Sequence, residues 1–275
     1  MADGRTLHFC AIGPQRTGTT WLYETLREHP ALCLPREVKE TLFFDRRYDR
    51  DLSWYWNYFD HRSPGQKCGE VAPTYFDTPE APNRIRQVNP EIDIIISLRA
   101  PAERTFSLYL HELRTQRVTG SFREAIEEKP RIITSGHYAE HISRWRDAFG
   151  EENLHFIFMQ DIKDDSQKVL DTLCSILEVD PIPIPERSTE KVNAATVPRF
   201  PSLAQMATRV VSKLHDYRLH KVVEWGKQMG LRKIYTGGDM PSLDPRDREW
   251  LLELYKDDIE YVERITGRDL DHWRQ

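Results

Sequence analysis

Two stretches of this sequence carry cations and hydroxyls at spacings suited to gripping phosphate-like anions. The first is Gly13-x-x-x-x-Gly18-Thr19-Thr20, with Arg16 inside it. Glycines at that separation make a loop that feeds a helix. Its free backbone N–H groups converge on one point, where the helix dipole also favours negative charge. The second is Arg99 at the end of the Ile-rich run 92–98, where a guanidinium can hold a phosphate through two N–H groups. Between the two stretches stands Glu40, a carboxylate that could accept a proton, next to Lys39.

The chemistry differs from that of a nucleotide triphosphatase. Such a loop needs Lys directly after its second glycine to reach the β- and γ-phosphates, and Thr19 stands there instead. A neighbouring strand should end in an Asp that helps hold Mg²⁺, whereas the apolar run 92–98 ends in Arg99. A cation at that strand end would repel a metal and attract a second phosphate, so two anion sites without a metal carboxylate do not suit Mg·ATP, and no metal is expected.

These groups are positioned by an alternation of strands and helices. Residues 7–12 read as a short buried strand, the glycine loop follows, and Trp21, Leu22, Thr25 and Leu26 recur at helical spacing. The Ile-rich run 92–98 suits a parallel strand covered on both faces. Residues 101–117 read as a helix with Pro in its first turn. Tyr138, Ile142, Trp145 and Phe149 form a helical stripe ending at Gly150, 154–159 is another strand, and 165–177 carries one apolar helical face. The pattern predicts an α/β fold with a central, mostly parallel sheet between helices. The Pro-rich stretch 180–201 reads as a surface loop, and 203–231 as a basic helical cover over the acceptor side. A last helix begins at Asp244 and Pro245 and closes at Gly267, and one domain over residues 1–275 is the economical reading.

Composition narrows the partners. A formal charge of −5 argues against broad nucleic-acid binding, which needs a dense basic face. The longest apolar run is too short to span a bilayer. The first five residues run straight into a strand pattern without the apolar core of a signal peptide, so a cytoplasmic protein is expected. Cys10, Cys33, Cys68 and Cys174 are scattered and read as free, mostly buried thiols.

At the level of motifs, Pro14-Gln-Arg16-Thr-Gly18-Thr19-Thr20-Trp21-Leu22 resembles the 5′-phosphosulfate loop of sulfotransferases that use 3′-phosphoadenosine 5′-phosphosulfate (PAPS). Arg99-Ala-Pro101-x-x-Arg104-x-x-Ser107-x-Tyr109 resembles their 3′-phosphate motif. Lys39-Glu40-x-x-Phe43-Phe44 and Glu70-x-x-Pro73-x-Tyr75-Phe76 look like the heparan-sulfate branch. Gly136-x-Tyr138 through Trp145, and the ending Thr266-Gly267-Arg268-Asp269-Leu270-x-x-Trp273, look like its soluble bacterial relatives. Any one of these is weak alone; in this order over nearly the whole chain they are specific.

The resemblance implies a P-loop-like three-layer fold and transfer of a sulfuryl group from PAPS to a hydroxyl or amine of a small-molecule acceptor, with PAP released. It gives Arg16, Thr17, Gly18, Thr19, Thr20 and Trp21 to the 5′-phosphosulfate, Arg99 and Ser107 to the 3′-phosphate, and Glu40 the part of general base. Arg16, standing where many relatives have Lys, is the catalytic candidate for neutralising charge on the bridging oxygen as PAP leaves; an Arg stabilises charge but does not act as an acid. Leu42 and Val71 replace polar residues that contact sulfated sugars in the heparan-sulfate branch, which argues for a small metabolite, such as those sulfated in secondary metabolism, over a glycosaminoglycan. Glu70 is open between proton handling and orienting a loop. A kinase-like P-loop enzyme and a non-catalytic PAP-binding protein are the alternatives.

Other features carry less. His137 and His141 have a metal-compatible spacing but no third ligand, and the aromatics at 54–59 read as packing. Arg209, Lys213, Arg218, Lys221 and Lys227 are explained equally by a solvated helix face.

Overall fold

The computed structural model describes residues 5–186, 197–198, 236–238 and 241–275. In chain order its elements are β1 (Leu7–Ala11), α1 (Thr19–Leu26), β2 (Leu32–Cys33), α2 (Phe43–Arg46), α3 (Leu52–Trp56), β3 (Lys67–Val71), α4 (Ala81–Arg86) and β4 (Asp93–Leu98). Then come α5 (Pro101–Arg114), α6 (Phe122–Glu128), α7 (Arg131–Thr134), α8 (Tyr138–Phe149), β5 (Leu154–Phe158), α9 (Met159–Asp164) and α10 (Ser166–Ile176). The chain closes with β6 (Val197–Pro198), β7 (Thr236–Gly238), α11 (Pro245–Leu254) and α12 (Lys256–Thr266). The 203–231 cover lies outside the described residues.

Two compact units emerge. The first holds Met1–Pro101, His137–Glu190 and Tyr255–Gln275; the second holds Ala102–Gly136 and Lys191–Leu254.

The first unit is built on a five-stranded sheet of order β2-β3-β1-β4-β5, parallel at every pairing. Its strands are buried on both faces, as apolar parallel strands require. Alternate residues of β4 serve opposite faces. Ile94, Ile96 and Leu98 join a core with α8 and α12, while Ile95 joins another with Leu22 and Leu26 of α1 and Val169 and Leu173 of α10. In β1 the same alternation holds for Phe9, Cys10 and Ala11, and a register irregularity between Leu7 and Phe9 lets Leu7 join the first core. The aromatics Tyr55, Trp56, Tyr58 and Phe59 are buried in that core, as packing predicts. All four cysteines are free and buried.

Helix ends are set by local chemistry. Asp258 of α12 accepts the Ala139 N–H at 2.8 Å at the start of α8, and Gly150 ends that helix at φ +80°. Asp165 caps α10 through the Lys168 N–H. The single last helix expected from sequence is two helices instead. Tyr255 departs from helical geometry between α11 and α12, and its ring is fully buried against His137.

In the second unit, Arg104 is completely buried and donates to Ser135 Oγ at 3.0 Å and the Ile132 carbonyl at 2.9 Å, tying α5 to α7. Glu112, 1% exposed, accepts from Lys129 Nζ at 2.5 Å. Arg123 pairs with Asp247 at 2.6 Å and lies over the Trp250 ring.

Two glycines mark where backbones approach too closely for a side chain. A Cβ on Gly13 would sit 2.2 Å from Ser97 Oγ, and one on Gly69 would sit 2.1 Å from the Phe9 ring across the β1–β3 pairing. Gly69→Ala should destabilise the protein by about 1–3 kcal/mol through overpacking, read as a lower urea midpoint at unchanged slope. A midpoint equal to the parent's would mean that Phe9 moves aside freely.

Candidate active site

The glycine loop leaves the carboxyl end of β1, the central strand, between β3 and β4. This is the edge at which open α/β sheets bind ligands. Backbone bonds from Ile12 N–H to the Ile95 carbonyl and from Ala72 N–H to the Ala11 carbonyl, both 2.9 Å, carry the pairing past the strand ends. Thr17 is completely buried; its hydroxyl donates to the Pro14 carbonyl at 2.7 Å and lies 2.7 Å from Ser97 Oγ. Its side chain therefore pins the loop to β4, and only its backbone is left to face a ligand. Arg16 takes a left-handed backbone at φ +79°, and Gly18, at φ +94°, is the N-cap of α1. Gly18 brings no capping side chain, and the first turn of α1 has no acidic residue, so the helix start remains suited to an anion. Thr19 is nearly buried, Thr20 is exposed, and Trp21 packs partly against the core.

A second loop comes to the first. Tyr23 of α1 donates its hydroxyl to the Pro35 carbonyl at 2.7 Å, fixing the approach to Lys39 and Glu40. Lys39 Nζ then donates to Thr19 Oγ1 at 3.0 Å and lies 3.6 Å from Glu40 Oε1. Both side chains keep 23% of their surface exposed, so the pair is reachable yet largely screened from water. Burial pushes the Lys39 ammonium below its ordinary range, with Glu40 opposing the shift and Arg16 adding to it. In the sequence Lys39 stands out only as the neighbour of Glu40 in a family-like motif. The missed signal was its place beside the base in a motif whose loop must fold back onto α1.

The turn after Glu40 is anchored from beneath. Glu70 on β3 is completely buried and accepts the Thr41 N–H at 2.6 Å and the Tyr75 hydroxyl at 3.2 Å. The Tyr75 hydroxyl in turn accepts the Phe43 and Phe44 N–H groups at the start of α2, at 3.1 and 3.3 Å. Leu42, at φ +58°, makes the bend between them. Through these bonds Glu70 holds the turn that follows Glu40.

The 3′-phosphate candidates fall on different elements. Arg99 follows the end of β4, and its carbonyl accepts the Tyr138 hydroxyl at 2.8 Å, which fixes the backbone there. Ser107 lies in the second turn of α5 and is half-buried. His137 Nδ1 lies 3.1 Å from Asp258, and His141 is buried edge-on to Phe76, so each imidazole has a structural setting.

Burial pushes the Glu70 carboxyl up to about 7, against hydrogen bonds from Thr41 and Tyr75 that lower it. Between its ordinary value of 4.5 and about 7 the folded chain holds more proton than the unfolded one. Stability from this group is therefore lost as pH rises through that window, by on the order of 3 kcal/mol. Glu70→Gln keeps an acceptor for Thr41 without a titrating group, so its melting temperature should fall less than the parent's between pH 5 and 8. Parallel profiles would place the Glu70 carboxyl at its ordinary value.

Comparison with known proteins agrees with this fold. The family profile described as "Sulfotransferase domain" matches residues 8–257. The human bifunctional heparan sulfate N-deacetylase/N-sulfotransferase 3 is 33% identical over 289 aligned residues, covering 96% of this chain and 31% of that protein. The mouse heparan sulfate glucosamine 3-O-sulfotransferase 6 is 34% identical over 157 residues, 54% of this chain and 44% of that one. The chain thus spans less than half the length of these curated relatives. A crystal structure of a sulfotransferase from Alicyclobacillus acidocaldarius superposes with a TM-score of 0.73 at 23% identity, covering 98% of this chain and 99% of that one, and shares the fold. With a profile match over most of its length and the parallel sheet and glycine loop in place, this chain belongs to the sulfotransferase domain family.

Proposed function

We propose that this protein transfers the sulfuryl group of PAPS to a hydroxyl, or an amine, of a small-molecule acceptor and releases PAP. The observation that carries this reading is the meeting of two loops at the carboxyl end of β1, where Lys39 Nζ bonds Thr19 Oγ1 and lies 3.6 Å from Glu40. A base candidate is thereby brought beside an anion-binding helix start.

Glu40 accepts the acceptor's proton as the new bond to sulfur forms. A carboxylate is a modest base, so it works late in an advanced transition state and in a partly dry site. Arg16, the backbone N–H groups around Gly18, and the hydroxyls of Thr19 and Thr20 hold the 5′-phosphosulfate. Thr17 holds the loop itself, and Trp21 at the start of α1 packs partly against the core. Arg99 takes the 3′-phosphate. Sulfuryl transfer, like phosphoryl transfer, passes through a loose transition state, so alignment and charge neutralisation account for most of the work.

Charge placement supports PAPS over a magnesium nucleotide. β4 runs out into Arg99, and the carboxylate on β3, Glu70, is buried and engaged by Thr41 and Tyr75. The acceptor class follows from two positions. Val71 is completely buried in the core, and Leu42 makes an apolar bend beside Glu40, so neither offers a sulfated sugar a polar contact. No helix among the described residues is long and apolar enough to cross a membrane.

PAP at about 100 times its Kd should stabilise the protein by about 2.7 kcal/mol, a shift of several degrees in a thermal melt. ATP with Mg²⁺ should give little, and Arg99→Ala should reduce the PAP shift. A shift with ATP and Mg²⁺ alone would overturn the proposal in favour of kinase-like chemistry. Glu40→Gln should keep the PAP shift and lose about 10²–10⁴-fold in sulfuryl transfer. Parental turnover in that variant would remove Glu40 from the role of base.

A further inference from the structure

Arg16 cannot give up a proton at ordinary pH, because a guanidinium stays charged past pH 12. The glycine loop therefore carries a permanent cation where a proton donor would help a phosphate leave. Lys39 reaches the same loop from the facing one. Its Nζ bonds the hydroxyl of Thr19, the first residue of α1, at 3.0 Å. An ammonium held at the positive end of a helix, with Arg16 nearby, is an unfavourable arrangement. Glu40, 3.6 Å away, and Glu24 oppose it.

We propose that Lys39 is a catalytic residue, the proton donor to the 5′-phosphate oxygen that leaves sulfur, and that Glu40 returns the proton to it. This rests on the sulfotransferase reading above. The bond between sulfur and the bridging oxygen breaks, and its electron pair stays on that oxygen. Lys39 gives the oxygen a proton and becomes a neutral amine. The acceptor oxygen forms its bond to sulfur and loses its proton to Glu40. Glu40 then hands that proton to the Lys39 amine across the 3.6 Å contact. The acceptor's proton ends on PAP, both side chains are restored, and no other reactant is required.

The surroundings favour this part. Burial lowers the ammonium's hold on its proton, Arg16 acts in the same direction, and Glu40 and Glu24 oppose. A weaker hold makes a better acid near neutral pH. Binding of PAP brings negative charge to Nζ and raises that hold again. PAP binding at alkaline pH must then be coupled to proton uptake, which Arg16 cannot provide.

The test is calorimetric titration of PAP into the full chain between about pH 9 and 10, in buffers of different ionisation enthalpy. The parent is expected to take up a substantial fraction of a proton per PAP bound. Lys39→Arg and Lys39→Met should still bind PAP and take up none. Lys39→Arg should also release PAP from PAPS, with water as acceptor, about 10²–10⁴-fold more slowly at saturation. Proton-neutral PAP binding by the parent, or parental kcat in Lys39→Arg, overturns the assignment. Failure of the parent to bind PAP at all is a different result and removes the sulfotransferase reading itself.

Discussion

A carboxyl group taken wholly out of water costs several kcal/mol unless the protein replaces its hydration. Glu70 is such a group, and the structure replaces that hydration with the Thr41 N–H and the Tyr75 hydroxyl. The same bonds determine where the chain goes after Glu40. Thr41 is drawn down onto β3, Leu42 turns through a left-handed bend, and Tyr75 receives the first N–H groups of α2. Removing that anchor would leave the buried Thr41 N–H and Tyr75 hydroxyl donors unpaired and free the segment that carries Lys39 and Glu40. One buried interaction thus couples the stability of the sheet to the geometry of the candidate base.

The facing loop is held by steric and hydrogen-bonding limits. Gly13 passes so close to Ser97 that no side chain fits, and Thr17 closes the contact through its hydroxyl. With both loops pinned to the parallel sheet, one by Glu70 and one by Ser97, the charged groups between them have little room to relax. Preorganised charge of this kind is what a loose transition state needs, because stabilisation then requires no reorganisation during the reaction.

Much of the fold was legible because its strands and helices obey simple periodicities. β1, β4 and β5 are apolar and were found, as were α5, α8 and α10. β2 and β3 were not. β2 has only two residues, and β3 reads Lys-Cys-Gly-Glu-Val, with a charge at each end of a glycine that exists to admit the Phe9 ring. Its burial comes from neighbours distant in sequence, which no local pattern encodes. The break at Tyr255 was missed for a similar reason, since it is a tertiary contact with His137, and not a proline or glycine, that goes with the end of one helix and the start of the next.

The sequence by itself determined the kind of chemistry: a glycine loop lacking the kinase lysine, a strand ending in Arg99, and Glu40 in a recognisable motif. These are covalent facts of residue type and order. Only the tertiary structure decided where these groups are held and what they touch. It turned the Thr17 hydroxyl inward, buried Glu70 as an anchor, and carried Lys39 to within 3.0 Å of Thr19. The physical reason is that hydrogen bonds and ion pairs act over a few ångströms in space, while residues 19, 39 and 70 are far apart along the chain until the parallel sheet brings them together.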